Sequence, residues 1–450
     1  MKTKLMLVAS FTLISIISKA QYENIDLNKY KLSNYKYKSL STQLDLSNNL
    51  NSTNDDVSSS FSTRTRVDGT INYSSTIQTR KYIGNQSISL GGNFQFLNRS
   101  QELLSSTIDS TNKFSTLGIY YSTNNKFYVR NKFFWGIGIT TQHRTQNNTG
   151  KGDYSKKLNT QYQTFNRLSL SVGFGRVENV TDARLAIYIL DDLQKAGRVS
   201  RNLTQEEVFA FADYITSTLN KRVIDSRIKR IKEFVAIDSF LVANGLTTQT
   251  DGLYFGLLSD NWNYARTQTW ETGSLGEVSV SPIFNYTNNF TRDNINDIIS
   301  RTREEITYYG ISFMASYSAT KVIGLKWQRG WEISGAFNFK KVEMSSTNGL
   351  TDQKEITANA KIYADYIPNT RTSIRTQSGI AFSKFIGDSF NDQERINPYL
   401  LSSCNYYLSE KIRFQVNAGI YYNHYKISDP VFTAKLFNYS INAGLQYYIF

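Results

Sequence analysis

The chain of 450 residues has little cysteine, little proline and few long apolar runs. Cys404 is its only cysteine, it has 4 prolines, and only 40% of its residues are apolar. A single cysteine excludes a disulfide-stapled scaffold. The scarcity of apolar runs of about 20 residues excludes a polytopic helical membrane protein. Aromatic residues are abundant instead, with 30 Tyr and 27 Phe, which excludes a disordered chain and favours a β-rich architecture.

The first twenty residues have the pattern of a secretory signal peptide. Lys2 and Lys4 precede an apolar stretch, Leu5–Ile17, and the small residue Ala20 ends the segment. We therefore expect residues 1–20 to be a signal peptide that is cleaved off during export. Its three lysines reduce the formal charge from +14 to 14 − 3 = +11. A basic exported protein meets anionic lipids or solutes, and nucleic acid is not an expected partner.

Apolar and polar residues alternate over long stretches, as side chains on opposite faces of a β-strand do. From Phe414 to Tyr422, for example, every even position is apolar or aromatic. Six such strands are predicted before residue 177, near Leu40–Leu46, Phe61–Ile77, Ile88–Phe96, Leu117–Tyr121, Phe127–Ile139 and Leu168–Phe174. Eight are predicted after residue 274, near Val278–Tyr286, Ile306–Tyr317, Leu325–Phe339, Ile356–Tyr366, Thr372–Phe382, Asn397–Tyr407, Ile412–Tyr422 and Leu436–Phe450.

The lengths of these strands and of their connections are typical of a transmembrane barrel. Strands of about ten residues exceed the usual five or six and match the roughly 9–11 residues that cross a bilayer. Such barrels alternate tight periplasmic turns with longer external loops. Short links are predicted at Ala319–Val322, Tyr366–Arg371 and Leu408–Lys411. Longer polar loops are predicted at Asn288–Arg303, Ser345–Gln353, Gly387–Glu394 and Lys426–Phe432.

The C-terminal segment resembles a known assembly signal. Gly444 is followed at fixed spacing by Tyr447, Ile449 and the terminal Phe450. This is similar to the signal of Gram-negative outer-membrane β-barrel proteins, except that the alternation leaves Phe450 as one extra residue. The resemblance implies an outer-membrane location, contact with outer-membrane lipid and recognition of these four residues by the assembly machinery.

We therefore expect an all-β transmembrane barrel of about 14 antiparallel strands with an inserted α-helical domain. The predicted parts are a periplasmic N-terminal segment (21–38), the first part of the barrel (39–176), a helical insertion (177–274) and the second part of the barrel (275–450). An even number of strands places both termini of the chain on the periplasmic side. Because the insertion follows the sixth strand, we expect it to be periplasmic too.

Helical periodicity replaces the alternation inside the insertion. Thr181 is the predicted N-cap of a first helix, and Thr204-Gln-Glu-Glu207 is a capping box that begins a second. A short fourth helix is predicted after Asp251. The third helix is predicted to be lined by Ile228, Ile231, Phe234, Val235 and Leu241.

The third predicted helix is also strongly basic. Its cations Arg227, Lys229, Arg230 and Lys232 form a candidate partner-binding face for cell wall, anionic headgroups or a periplasmic protein. The alternative is a solvated face with i,i+4 pairs such as Lys229–Glu233.

The polar positions of the alternation carry several cations. Facing lipid, each would cost about 2–4 kcal/mol at the bilayer midplane, so we expect these side chains to point inward. The predicted pore-lining residues are Arg167, Lys340, Lys361, Arg375 and Arg413. Rings of such residues favour anions. Alternatively they pair with inward acids, such as Asp365 and Glu332, and fill the interior.

The sequence offers no convincing catalytic or metal site. His143 and His424 lack a His-x-Ser arrangement and an adjacent carboxylate that would orient the ring. One cysteine and two isolated histidines cannot form a zinc site. The acidic pairs at 55–56 and 304–305 lack calcium-loop spacing. We expect no cofactor and no enzymatic activity.

The leading functional hypothesis is a channel or transporter for small, anionic or amphiphilic solutes. The alternative is a structural or interaction protein that the barrel anchors and whose helical domain binds an envelope partner. A barrel-embedded hydrolase is the third hypothesis.

Overall fold

The computed structural model describes residues 22, 25–32, 34–54, 58–103, 106–130, 132–152, 155–220, 226–265, 268–345, 349–387, 390–409, 412–427 and 432–447. The predicted signal peptide therefore lies outside the described residues. The strands are β1 (Tyr35–Asn54), β2 (Ser58–Gln78), β3 (Tyr82–Leu103), β4 (Ser106–Tyr128), β5 (Phe133–Gly152), β6 (Ser155–Asn179), β7 (Glu271–Ile295), β8 (Ile298–Ile323), β9 (Trp327–Met344), β10 (Gly349–Asn369), β11 (Thr372–Gly387), β12 (Phe390–Tyr407), β13 (Ile412–Ile427) and β14 (Phe432–Tyr447). The helices are α1 (Thr181–Lys195), α2 (Gln205–Leu219), α3 (Ser226–Ala243) and α4 (Gly252–Tyr264), all between β6 and β7.

The fourteen strands form a single antiparallel sheet in chain order. Each strand pairs with the next one along the chain, so the predicted number of strands and their antiparallel order are confirmed. Among the described residues, β1 and β14 do not pair with each other, and the sheet has two edges. The closure of the sheet into a barrel stays a prediction.

The sheet is rolled rather than flat. Arg176 at the end of β6 donates a hydrogen bond to the carbonyl oxygen of Thr79, directly after β2, at 2.8 Å. In a flat sheet these positions would lie at least three strand spacings apart, about 14 Å, which is longer than an arginine side chain. The strands must therefore curve toward one another at this end.

At the same end of the sheet, strands that are far apart in the sheet contact the helices. Asn220, after α2, accepts a hydrogen bond from the amide of Lys36 in β1, and Tyr264 of α4 packs on Tyr407 of β12. Eleven strand spacings separate β1 and β12, about 53 Å in a flat sheet. Since α2 and α4 both pack on α1, and packed helices lie about 8–10 Å apart, the sheet wraps around this helical body.

The two faces of the sheet differ in polarity. One face, which we call the apolar face, exposes large side chains on every strand, for example Leu44 (69% exposed) in β1 and Ile441 (74%) in β14. The opposite face, the polar face, buries hydroxyl and charged groups such as Ser312 (3% exposed) and Asp365. An apolar surface of this extent is not stable in water and is typical of a surface in contact with lipid.

The strands are longer than predicted, at 16 to 26 residues. The polar segment Asn288–Arg303 is wrong as a loop, because β7 continues to Ile295 and β8 begins at Ile298. Only Asn296 and Asp297 turn, with φ of 49° and 63°. The strands stay paired beyond the band of large apolar side chains. Both faces carry polar residues there, so alternation no longer marks the strand.

The end of the sheet away from this hairpin, which we call the turn end, carries the links that were predicted to be short. The link predicted at Ala319–Val322 is instead strand, because β8 continues to Ile323 and the turn comprises residues 324–326. The strand β1 begins at Tyr35, inside the predicted N-terminal segment. The tight links predicted after β10 and β12 agree with the structure.

The four helices, with the chain between them, form one body that we call the helical insert. Its core is closely packed, with Leu185, Phe211, Ile215 and Leu258 fully buried. Leu27 and Tyr30, beside a short 3₁₀ helix (Leu27–Lys29), are buried in the same core. Among the described residues, no helix is both long and apolar enough to cross a membrane.

Two details of the insert differ from the sequence predictions. The N-cap of α1 is Val180, and the hydroxyl of Thr181 accepts a hydrogen bond from the amide of Trp270 at 2.9 Å. In α3, Ile231 and Val235 are exposed, whereas Ile237 is buried. Apolar residues occur on every side of α3, so its sequence does not indicate which side packs against the rest of the insert. The Thr204–Glu207 capping box and the fourth helix are confirmed.

Candidate functional site

The polar face carries the predicted pore-lining cations in ion pairs. Lys361 lies directly opposite Glu332 on β9, with 2.8 Å between their charged atoms. Arg375 lies opposite Asp365 on β10, at 2.6 Å. Opposite charges at facing positions of paired strands attract. The register of the strands is therefore enough to bring these pairs together.

A third predicted cation pairs with an acid at the diagonally adjacent position of the neighbouring strand. The amine of Lys340 on β9 lies 3.0 Å from a carboxylate oxygen of Glu355 on β10. The sequence prediction left open whether inward cations pair with inward acids. These three do so, which leaves the polar face with alternating rather than uniform charge.

The last two predicted cations have no carboxylate partner among the described residues. Arg413 donates to the side-chain oxygen of Gln446 at 3.1 Å. The Nε of Arg167 is buried without a hydrogen-bond partner in the described part of the chain. The assignment of all five residues to a pore stays a prediction, since it depends on closure of the sheet.

One of the polar-face ion pairs that sequence reasoning missed joins distant strands. Lys126 on β4 and Glu277 on β7 come within 2.5 Å of each other. They are 151 residues apart in the chain, and the helical insert separates their strands in sequence. Only the curvature of the sheet joins them, so no sequence signal could have found the pair.

The helical insert covers the polar face at the turn end. The polar-face side chains of Gln328, Asp365 and Ser373 are buried there. The amide of Glu271 donates to the Oε1 of Gln328 at 2.8 Å. Gln268 donates to the hydroxyl of Ser373 at 3.0 Å. The segment that leads out of the insert therefore lies against the concave side of the sheet.

A buried arginine joins the insert to the β8–β9 turn. Arg184 is 1% exposed, and its Nε donates to the carbonyl oxygen of Leu325 at 3.2 Å. Its guanidinium carbon lies 4.1 Å from the ring centre of Trp270. Burial lowers the pKa of Arg184, and contact with the hydroxyl of Tyr188 opposes this effect. The hydrogen bonds and ring contact compensate for part of the desolvation.

Other links fix the insert at the same end. Asp260 of α4 forms an ion pair with Arg371 in the β10–β11 turn, at 2.5 Å. The side-chain amide of Asn28 donates to the carbonyl oxygen of Val322 at 3.0 Å. Tyr30 donates to Asp213 of α2 at 2.8 Å, and burial, followed by the charge of Asp213, raises the pKa of Tyr30. The insert and the N-terminal segment together occupy the turn end.

The predicted partner-binding residues of α3 are only partly in contact with solvent. Lys229 lies 3.7 Å from Glu233, the i,i+4 pair that the solvated-face alternative predicted. Arg230 donates to Ser259 of α4 at 3.3 Å, and Lys232 is exposed. The side chain of Arg227 lies outside the described residues.

The remaining predicted residues lie on the sheet. Gly444 and Tyr447 belong to β14, whereas Ile449 and Phe450 lie outside the described residues. The ring of His143 is 2.9 Å from the hydroxyl of Thr164. Along the described chain, no three His, Cys, Asp or Glu side chains form a group that could hold a metal ion.

Comparisons with known proteins find similar structures but no family. No family model and no curated protein matches the chain. Among solved structures, it is similar to a TodX monoaromatic hydrocarbon channel mutant (9% identity, 94% of this chain and 91% of that chain, TM-score 0.29). It is also similar to outer-membrane expressed OmpT of Vibrio cholerae (8%, 88% and 100%, TM-score 0.24) and to the CymD monoaromatic hydrocarbon channel (11%, 95% and 93%, TM-score 0.24). The resemblance to outer-membrane β-barrel proteins is thus found among structures, at similarities too low to support any functional argument.

Proposed function

We propose that the sheet closes β1 against β14 and forms a channel across the outer membrane. The supporting observation is the distribution of polarity, with exposed apolar side chains on one face of all fourteen strands and ion pairs on the concave face. In such a barrel the apolar face meets lipid and the polar face lines an aqueous passage. The turn end and the helical insert lie in the periplasm, as the even strand count predicts.

The passage takes small polar or amphiphilic solutes and has a weak preference for anions. Lys340, Lys361 and Arg375 are compensated by carboxylates, so their fields largely cancel. Arg167 and Arg413, which have no carboxylate partner among the described residues, add positive charge to the polar face. The insert narrows the periplasmic mouth, because it covers Gln328, Asp365 and Ser373.

Planar-bilayer recording tests this function. Purified protein should conduct, and an Asp260→Ala, Arg371→Ala variant should show a larger or more frequent open state, because it loosens the insert. Replacing Arg167 and Arg413 with Gln should shift the reversal potential in a salt gradient toward cation selectivity. Lys354→Gln, at an exposed apolar-face position, is the matched control. Absence of conductance in every variant and salt would reject the channel.

The second candidate is an anchored interaction protein, favoured by the exposed apolar stripe on α3. Ile231, Val235 and Val242 are all more than half exposed, and Lys232 lies beside them. Replacing these three residues with Ser should abolish recovery of a periplasmic partner in pull-downs and leave conductance unchanged. A hydrolase has no comparable support, since His143 contacts hydroxyl groups and no described carboxylate.

A further inference from the structure

A groove on the apolar face lies near the turn end. Its volume is about 730 Å³, and it crosses strands β8 to β11. Small side chains, Ala364, Thr376 and Ser378, form its floor, beside the larger Trp331 and Ile362, which face each other across β9 and β10. A lining of this kind leaves room for a flexible apolar chain lying along the sheet.

Two cations lie side by side at the rim of the groove. Lys321 on β8 is directly opposite Arg329 on β9, and both belong to its lining. Facing side chains of this kind have Cβ atoms about 4.5–5.5 Å apart, and like charges there repel. Both are exposed, and neither forms an ion pair with a described residue. The charge of Lys321 lowers the pKa of Asp26, but it is the smallest of the causes that do so. The pair therefore has no ion-pair partner among the described residues, unlike Lys340, Lys361 and Arg375 on the polar face.

Aromatic rings on the apolar face surround the two cations. Trp331 packs on Tyr317 with ring centres 5.0 Å apart, and Trp327 packs on Tyr366 at 4.4 Å. Belts of Trp and Tyr in membrane proteins lie at the level of the lipid headgroups. Lys321 and Arg329 are thus at headgroup depth. Ala364 and Thr376 continue their row across β10 and β11, and Ser378 lies two residues closer to the middle of β11.

We propose that this groove binds one anionic phospholipid. Its phosphate lies between Lys321 and Arg329, and an acyl chain follows the floor formed by Ala364, Thr376 and Ser378. The inference rests on the proposed membrane-spanning role of the sheet. Charge complementarity selects an anionic headgroup over a zwitterionic one, because a basic side chain near an anionic membrane surface adds about 1 kcal/mol, a preference of about fivefold per cation.

Quenching by lipids with brominated acyl chains tests the site. Trp331 reports on the groove, and Trp135 is the matched control. Trp135 lies in the aromatic belt of the apolar face, but its cross-strand neighbours are Phe127 and Val172 rather than cations. Two variants each keep one of these tryptophans, with the other apolar-face tryptophans replaced by Phe. Trp262 and Trp270 remain in both because they are buried in the insert.

Brominated phosphatidylglycerol, diluted into phosphatidylcholine vesicles, should quench Trp331 at a severalfold lower mole fraction than brominated phosphatidylcholine does. Trp135 should show no such preference. Lys321→Gln with Arg329→Gln should abolish the preference at Trp331 while the protein still migrates as a folded species in unheated gels. Equal quenching of Trp331 by both lipids, with Trp135 quenched too, would overturn the lipid site alone. Failure of either lipid to quench Trp135 or Trp331 would instead reject the membrane-spanning role.

Discussion

The helical insert and the sheet distribute apolar residues in opposite ways. In the insert, Leu185 and Phe211 are fully buried and Lys232 is exposed, as in a protein that folds in water. In the sheet, Ile333 and Ile441 are exposed, whereas Ser281 and Ser312 are buried. One chain therefore follows two rules, as we expect if the insert folds in water and, as proposed above, the apolar face of the sheet meets lipid. The two regions meet at the turn end, where the insert covers the polar face of the sheet.

The largest expected contrast is between two tryptophans, one in each region. Trp270 is fully buried against Arg184, whereas Trp331 is 41% exposed on the apolar face. Trp270→Ala should destabilise the docked insert by about 3–5 kcal/mol, since it creates a cavity and removes the ring contact of a buried arginine. Trp331→Ala should cost about 1 kcal/mol or less. Denaturant unfolding in detergent, followed by near-ultraviolet circular dichroism and limited proteolysis of the insert, measures both. Similar losses in the two variants would contradict the comparison.

A smaller contrast separates the two faces within one strand. Ile333 and Ser334 are neighbours in β9 and lie on the apolar and the polar face, respectively. Ile333→Arg should cost about 2–4 kcal/mol on folding into vesicles, because the charge enters the hydrocarbon layer. Ser334→Arg should cost far less, since its side chain meets the ion-paired polar face. The measurement is the fraction folded against urea, read from heat-modifiable migration in gels. If both variants fold equally well, the apolar face does not meet lipid.

The same contrast explains how far the sequence could predict the structure. Alternation works where one face meets lipid and the other does not, and it therefore found every strand near its apolar belt. Beyond that belt, both faces of β7 and β8 carry polar residues, so the hairpin at Asn296 and Asp297 looked like a loop. Within the insert, caps such as Thr204 are local and were predictable. The contact of Arg184 with Leu325 joins residues 141 positions apart, and only the folded chain brings them together.

The smallest expected effect is a pH dependence confined to the water-exposed insert. Glu207, in the capping box of α2, accepts hydrogen bonds from Arg201 and from the amide of Thr204. These contacts lower the pKa of Glu207 to about 2, and the hydrogen bond from Arg201 is the largest cause. Because this pKa lies below the unfolded value of about 4.3, ionised Glu207 favours the folded insert above pH of about 4.3, and the contribution is lost as the pH falls toward 2.

Glu207→Gln keeps an oxygen for the capping box and removes the titrating charge. The loss of α-helical circular dichroism between pH 5 and pH 2 should therefore be shallower in this variant than in the wild type. Glu206→Gln is the control, because Glu206 is the exposed neighbour and has no ion pair in the described part of the chain. The Glu206→Gln variant should follow the wild-type curve. The β-sheet signal should not differ between the two variants over this range, since the described hydrogen-bond partners of Glu207, Arg201 and Thr204, both lie in the insert. An equal change in the helical signal of both variants would show that the acid dependence does not arise at the α2 cap, and the assignment of Glu207 as its source would then be wrong.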